Sequence, residues 1–239
     1  MEKTEETQEE VIITNRDLLL PYFLPYAAYV GLASISPDWL PMQWNYLARI
    51  VVVPILLIWG WRWYVSLTGP MNRWGSVLAG IVGGLAGTVL WVALLQPFVE
   101  PFGGDPWTPA EFLLRILAAS LIVPIFEELL LRGMIFRMAL QWDQARKAGR
   151  EDPVGVALDG AAIDEVKPGA WSFLAILIST VAFTVGHNVP EWPASMGYGA
   201  LMCGLWILRK DLLSCIVAHG VTNFTLALYV IHTGKWGLW

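Results

Sequence analysis

The chain has 239 residues, 56% hydrophobic and only 15% charged, with a net charge of −5 at pH 7. A soluble domain is about one-quarter charged, so an ordinary soluble protein is excluded and an all-α, polytopic bundle of membrane helices is expected. Lys and Arg are sparse and scattered, which excludes a nucleic-acid surface. Cys203 and Cys215 lie in or near apolar runs without metal spacing and read as small packed residues.

The first 17 residues, MEKTEETQEEVIITNRD, are acidic and polar and lack the basic start of a secretory signal. They read as a solvated cytoplasmic tail (1–17), and residues 18–239 as a single transmembrane domain. About 20 apolar residues span a bilayer. Seven runs approach that length: 18–36, 47–65, 76–98, 112–138, 171–189, 194–208 and 212–232. The sixth is short, so the expected count is about seven, within six to eight. In the third, Gly80, Gly83, Gly84 and Gly87 form two overlapping G-x-x-x-G patterns that suit close helix packing. The fourth contains FEELLLR, residues 126–132. The polar segment 141–170 reads as a cytoplasmic loop.

Arg and Lys alternate between the connections. Lys3 and Arg16 lie in the tail, Arg62 and Arg73 in the second loop, Arg146, Lys147, Arg150 and Lys167 in the fourth, and Arg209 and Lys210 in the sixth. The odd-numbered loops have none, which places the N-terminus in the cytoplasm and the C-terminus outside. Arg49, Arg115 and Lys235 are left over, near the outer edge. Tryptophans such as Trp39, Trp61, Trp74 and Trp107 sit near run ends, where aromatic belts belong.

Ionisable groups inside membrane spans are functional candidates. Glu128 and Arg132 are four residues apart with the acid first, the order that favours an ion pair. Glu127 points about 100° away from Glu128, so Glu128 would be held by Arg132 and Glu127 would face a cavity. The reverse pairing is also within reach. His219 and Asn223 share a face of the last span, and Phe183 and His187 repeat that spacing on the fifth. At about 1.5 Å per residue, Glu127 lies about 15 Å from Arg137 and His219 about 14 Å from Lys210, so the two can meet near the bilayer midplane. His187 is about 24 Å from Trp171. The fifth helix must therefore start in the cytoplasm or tilt for His187 to join them. His232, at the end of the last span, reads as an ordinary interface residue.

A carboxylate and a His can deprotonate water, and a second His with an Asn amide can donate hydrogen bonds to an oxyanion. That is a kit for peptide hydrolysis. Two His and a Glu (Glu127, His187, His219) would also suit zinc. No H-E-x-x-H is present, so that reading rests on residue types alone.

EELLLR (Glu127, Glu128, Arg132), FTVGH (Phe183 to His187) and HGVTN (His219 to Asn223) resemble, in order and spacing, the EExxxR, FxxxH and HxxxN/D motifs of the CPBP family. These are the CAAX prenyl protease and Abi-type intramembrane proteases. The resemblance implies an intramembrane endopeptidase of the glutamic type that needs no cofactor, with zinc as the alternative. It implies Glu127 as the water-activating acid assisted by His187, Glu128 and Arg132 as its supporting pair, and His219 with Asn223 as the oxyanion site. It further implies a membrane-associated protein or peptide substrate within the lipid bilayer. The C-terminal part resembles the bacterial CAAX protease-related branch found beside exosortase sorting systems, which implies the bacterial inner membrane. The same polar cluster would also suit a non-catalytic membrane binding or immunity protein, or a proton-coupled transporter.

Overall fold

The computed structural model describes residues 13–239; the first twelve residues, most of the acidic tail, lie outside the described residues. Helix α1 (Asn15–Ala33) begins inside the expected tail, because Thr14 and Asp17 form a capping box. The Thr14 amide donates to Asp17 at 2.9 Å, and the Thr14 hydroxyl accepts from the Asp17 amide. Pro25 lacks the N–H that the Pro21 carbonyl would otherwise receive. The Tyr64 hydroxyl takes its place, donating to the Pro21 carbonyl at 2.8 Å.

Helices α2 (Met42–Gly60) and α3 (Arg73–Leu95) follow. A continuous helical path then runs through α4 (Pro109–Leu117), a π turn (Ala118–Ile122), α5 (Val123–Glu128), a second π turn (Leu129–Ile135) and α6 (Phe136–Lys147). The last three helices are α7 (Phe173–Val185), α8 (Trp192–Arg209) and α9 (Leu212–Thr233). No strand occurs among the described residues. The two cysteines are buried and unpaired.

Three helical segments are long and apolar enough to cross a membrane: Met42–Trp63, Arg73–Phe98 and Leu212–Thr233. Large apolar side chains face outward along them, among them Ile58 (75% exposed), Leu78 (63%) and Val89 (71%). Solvated proteins bury such side chains; lipid is the medium that suits this surface. The chain is an integral membrane protein.

The most extensive helix pairing is α3 with α9. A Cβ on Gly84 would lie 2.6 Å from the Ala218 carbonyl, and one on Gly80 would lie 2.8 Å from the Ser214 carbonyl. Only glycine permits that approach, which explains the overlapping G-x-x-x-G patterns. Thr222 fastens the seam by donating to the Gly84 carbonyl at 2.9 Å.

The polar segment after α6 is more than a solvated connector. Its first residues, 141–147, continue α6. Beyond them Ala157, Ile163 and Val166 are buried. Buried Asn15 clasps the segment to α1. It donates to Gln141 and to the Ala157 and Ala161 carbonyls, and accepts from the Ile163 amide at 2.8 Å. Arg16 adds a forked pair to Asp159 at 2.8 and 2.6 Å.

Candidate active site

The two π turns bracket the six-residue helix that carries Glu127 and Glu128. Such turns shift the i→i+4 ladder to i→i+5 and concentrate at functional sites. Here they turn both carboxylates inward. Glu128 is fully buried. Its Oε1 accepts from Arg132 Nη1 at 3.2 Å and meets His219 Nδ1 at 3.0 Å. Arg132, also fully buried, donates through Nη2 to the Gly199 carbonyl at 3.0 Å and lies over the Phe183 ring. So Arg132 joins α5 to α7 and α8, and Glu128 joins α5 to α9.

Glu127 points elsewhere. Its side chain keeps 15% exposure, and its Oε2 lies 3.8 Å from His219 Nε2. It borders two cavities. One, of about 170 Å³, is shared with His187, His219 and Asn223. The other, of about 220 Å³, is apolar and bounded by Phe23, Tyr26, Leu130 and Ile135. Phe23, Leu130 and Ile135 also line a groove of about 750 Å³ between α1 and α6 with almost no polar surface.

His187 is not on the helix that its spacing suggested. The expected run 171–189 is helical only over Phe173–Val185, and Gly186 caps it. His187 occupies the turn beyond, where its Nδ1 lies 2.8 Å from the Phe183 carbonyl. Assigned as a donor there, Nδ1 leaves Nε2 as an acceptor. The side chain still lines the cavity beside Glu127, with its ring 5.5 Å from Trp91. Asn223 donates one amide hydrogen to the Ala119 carbonyl in the first π turn at 2.7 Å, leaving the second free.

Glu127 from α5, His187 from the turn after α7, and His219 and Asn223 from α9 therefore line one small chamber, while Glu128 and Arg132 are fully buried. Among the described residues no three His, Cys, Asp or Glu side chains converge as a ligand set.

Other wall residues escaped the sequence reading. Tyr198 stands edge-on to His219 at 5.7 Å between ring centres and donates to Thr222 at 3.1 Å. Trp91, Arg115 and Trp239 also line the chamber. Tyr198 lies in an unremarkable small-residue stretch of α8. Arg115 alone carried a signal, as a cation in an apolar run.

A family model described as Rce1-like, type II CAAX prenyl endopeptidase Rce1-like, matches residues 109–225. That stretch runs from the start of α4 into α9 and holds all six side chains proposed from sequence. No curated protein and no solved structure matches the chain.

Proposed function

We propose that this chain, whose residues 109–225 match the Rce1-like CAAX prenyl endopeptidase family, hydrolyses a peptide bond of a membrane-associated protein by glutamate-activated water. The observation that carries this reading is the division of labour between adjacent carboxylates. Glu128 is locked by Arg132 and His219, while Glu127 meets the chamber beside His219 Nε2.

The proton steps follow from the hydrogen bonds. Glu127 takes a proton from a water that also donates to His187 Nε2. The hydroxide adds to the carbonyl carbon, and the oxyanion receives hydrogen bonds from His219 and from the free amide hydrogen of Asn223. As an imidazolium, His219 donates to Glu128 through Nδ1 and to the oxyanion through Nε2. With the proton on Glu127, the charges of Glu128, Arg132, His219 and the oxyanion cancel, which limits the cost of burying them. Collapse of the adduct breaks the C–N bond, and Glu127 returns its proton to the leaving amine. No step of this hydrolysis passes through zinc. Cleavage should survive exhaustive chelation; loss that zinc restores would replace this mechanism with a metal-dependent one.

The test needs no known substrate. Membranes from cells producing the wild type and the Glu127→Gln chain are compared by mass spectrometry of protein termini. New termini that require Glu127 are the expected outcome. Identical sets of termini would end the proteolytic reading.

The same reading takes residues 18–239 as one seven-span unit in a bacterial inner membrane, with the N-terminus cytoplasmic. It is supported by the alternation of Arg and Lys between loops. The apolar groove beside α1 then gives a membrane-bound substrate a lateral approach to Glu127.

A further inference from the structure

Arg16, Arg146 and Lys147 are spent on acids, the first on Asp159 and the other two on Asp143. The corner where α3 begins and α8 turns into α9 is different. Among the described residues Arg73, Arg209 and Lys210 have no ion-pair partner there, and Arg73 and Lys210 are exposed. The loop before α3 is tied to the same turn, the Leu213 amide donating to the Leu67 carbonyl at 2.8 Å.

Arg209 lies across the first turn of α3. Its Nη2 donates to the Asn72 carbonyl at 3.1 Å and to Ser76 Oγ at 3.0 Å. Gly75 gives it room, since a Cβ there would lie 3.0 Å from Nη2. Two bonds on one nitrogen fix the plane of the guanidinium and leave Nη1 for another acceptor. Asp211 is already engaged. One of its oxygens accepts from the Ser214 amide at 2.8 Å and the other from Ser76 Oγ. Lys210 ends α8 in the left-handed conformation, with φ 60°. Glycine is the residue that fits such a cap without strain; here the position holds a cation next to Arg209.

Away from this corner the outward face of α3 is apolar. Trp74, Leu78, Val82, Leu85 and Val89 are exposed and follow one another in steps of three or four residues, so they form one stripe. From Trp74 to Val89 the stripe rises about 22 Å, more than half of a hydrocarbon core of about 30 Å. Cations at the head of an apolar stripe match a molecule with an anionic head and long apolar tails. A free anion makes no use of the stripe, and a zwitterionic lipid brings its own cation to a place that already has three.

We propose that this corner seats an anionic phospholipid, its phosphate held by Arg73, Arg209 and Lys210 and its acyl chains lying along α3. Such a site would exist whether or not Glu127 cleaves peptides.

The probes are dioleoylphosphatidylglycerol, dioleoylphosphatidylcholine and inorganic phosphate. Their binding to the full chain in detergent is measured by native mass spectrometry. The phosphatidylglycerol should bind the wild type at least about 10-fold tighter than the phosphatidylcholine, within reach of two or three basic side chains at a membrane surface. The double variant Arg73→Gln/Arg209→Gln should erase that preference. Lys210→Gly should weaken it several-fold while unfolding no earlier than the wild type, because it relieves the left-handed backbone. Arg150→Gln, an exposed cation at the end of α6, should leave the preference intact. Equal affinity for the two lipids, or a preference that survives the double variant, would overturn the proposal. A loss as large in Arg150→Gln as in the double variant would also overturn it, by showing diffuse surface charge and no site. Inorganic phosphate that binds as tightly as the lipid would replace the lipid with a free ion. If the double variant does not fold, Lys210→Gly decides: an unchanged preference in that variant rejects the site.

Discussion

Three groups meet Arg132 in a space closed to solvent: Glu128 Oε1, the Gly199 carbonyl and the Phe183 ring. Arg132→Ala strips Glu128 of its cation and should cost about 3–5 kcal/mol. The expected result is low yield and early thermal unfolding in detergent. Arg132→Lys keeps a charge but not the fork that reaches Glu128 and Gly199 together, so it should fall between alanine and wild type. A stable, active alanine variant would show that the ion pair does not support the fold. The Glu128–Arg132 spacing was legible in the sequence because both lie on one helical path with the acid first. His187 was harder to place. Its four-residue step from Phe183 suggested a shared helix face, whereas Gly186 ends the helix and the His187 ring itself bonds the Phe183 carbonyl. Arg115 was visible only as a stray charge, because its stacking on Trp107 and Trp239 joins segments far apart in the chain.

At the scale of elements, the seam between α3 and α9 makes a sharp contrast with α1. Gly84→Leu would drive a side chain into the Ala218 backbone and should destabilise by about 1–3 kcal/mol. Gly31→Ala, in α1 with nothing within 4 Å of the added carbon, should stabilise by roughly 0.5–1 kcal/mol. Unfolding midpoints of the two variants should move in opposite directions; a common direction would contradict the packing account. At the polar end of α6, Lys147 and Arg146 hold the Asp143 carboxyl down to about 2, from the usual 3.8. A lowered value means that this stabilisation is complete above the usual aspartate range and fades as pH falls from about 4 through about 2. The stability gap between wild type and Asp143→Asn should therefore be constant near neutrality and close over that window. Helix positions were legible from apolar run lengths and glycine spacing. The π turns beside Glu127 and Glu128 were not, since an i→i+5 ladder leaves no mark in the order of apolar residues; it forms where packing rewards an extra residue in the turn.

For the whole molecule, alkaline phosphatase fused after residue 239 should be active, and fused within the 141–170 segment inactive, if the proposed topology holds. The reverse pattern would invert the orientation. Helix α7 bears on a different question, namely where hydrolytic water comes from. Its 13 residues rise only about 20 Å, against about 30 Å of hydrocarbon. If α7 crosses the bilayer as the proposed topology has it, the irregular backbone after it, with His187, begins before the bilayer ends. At that depth a non-helical chain is tolerated only inside protein or against a wet cavity. On that topology the shortfall of one helix would let the aqueous phase dip to the level of Glu127 from one side, while the apolar groove beside α1 would meet lipid on the other. Reactant and substrate would reach the same carboxylate from two immiscible phases.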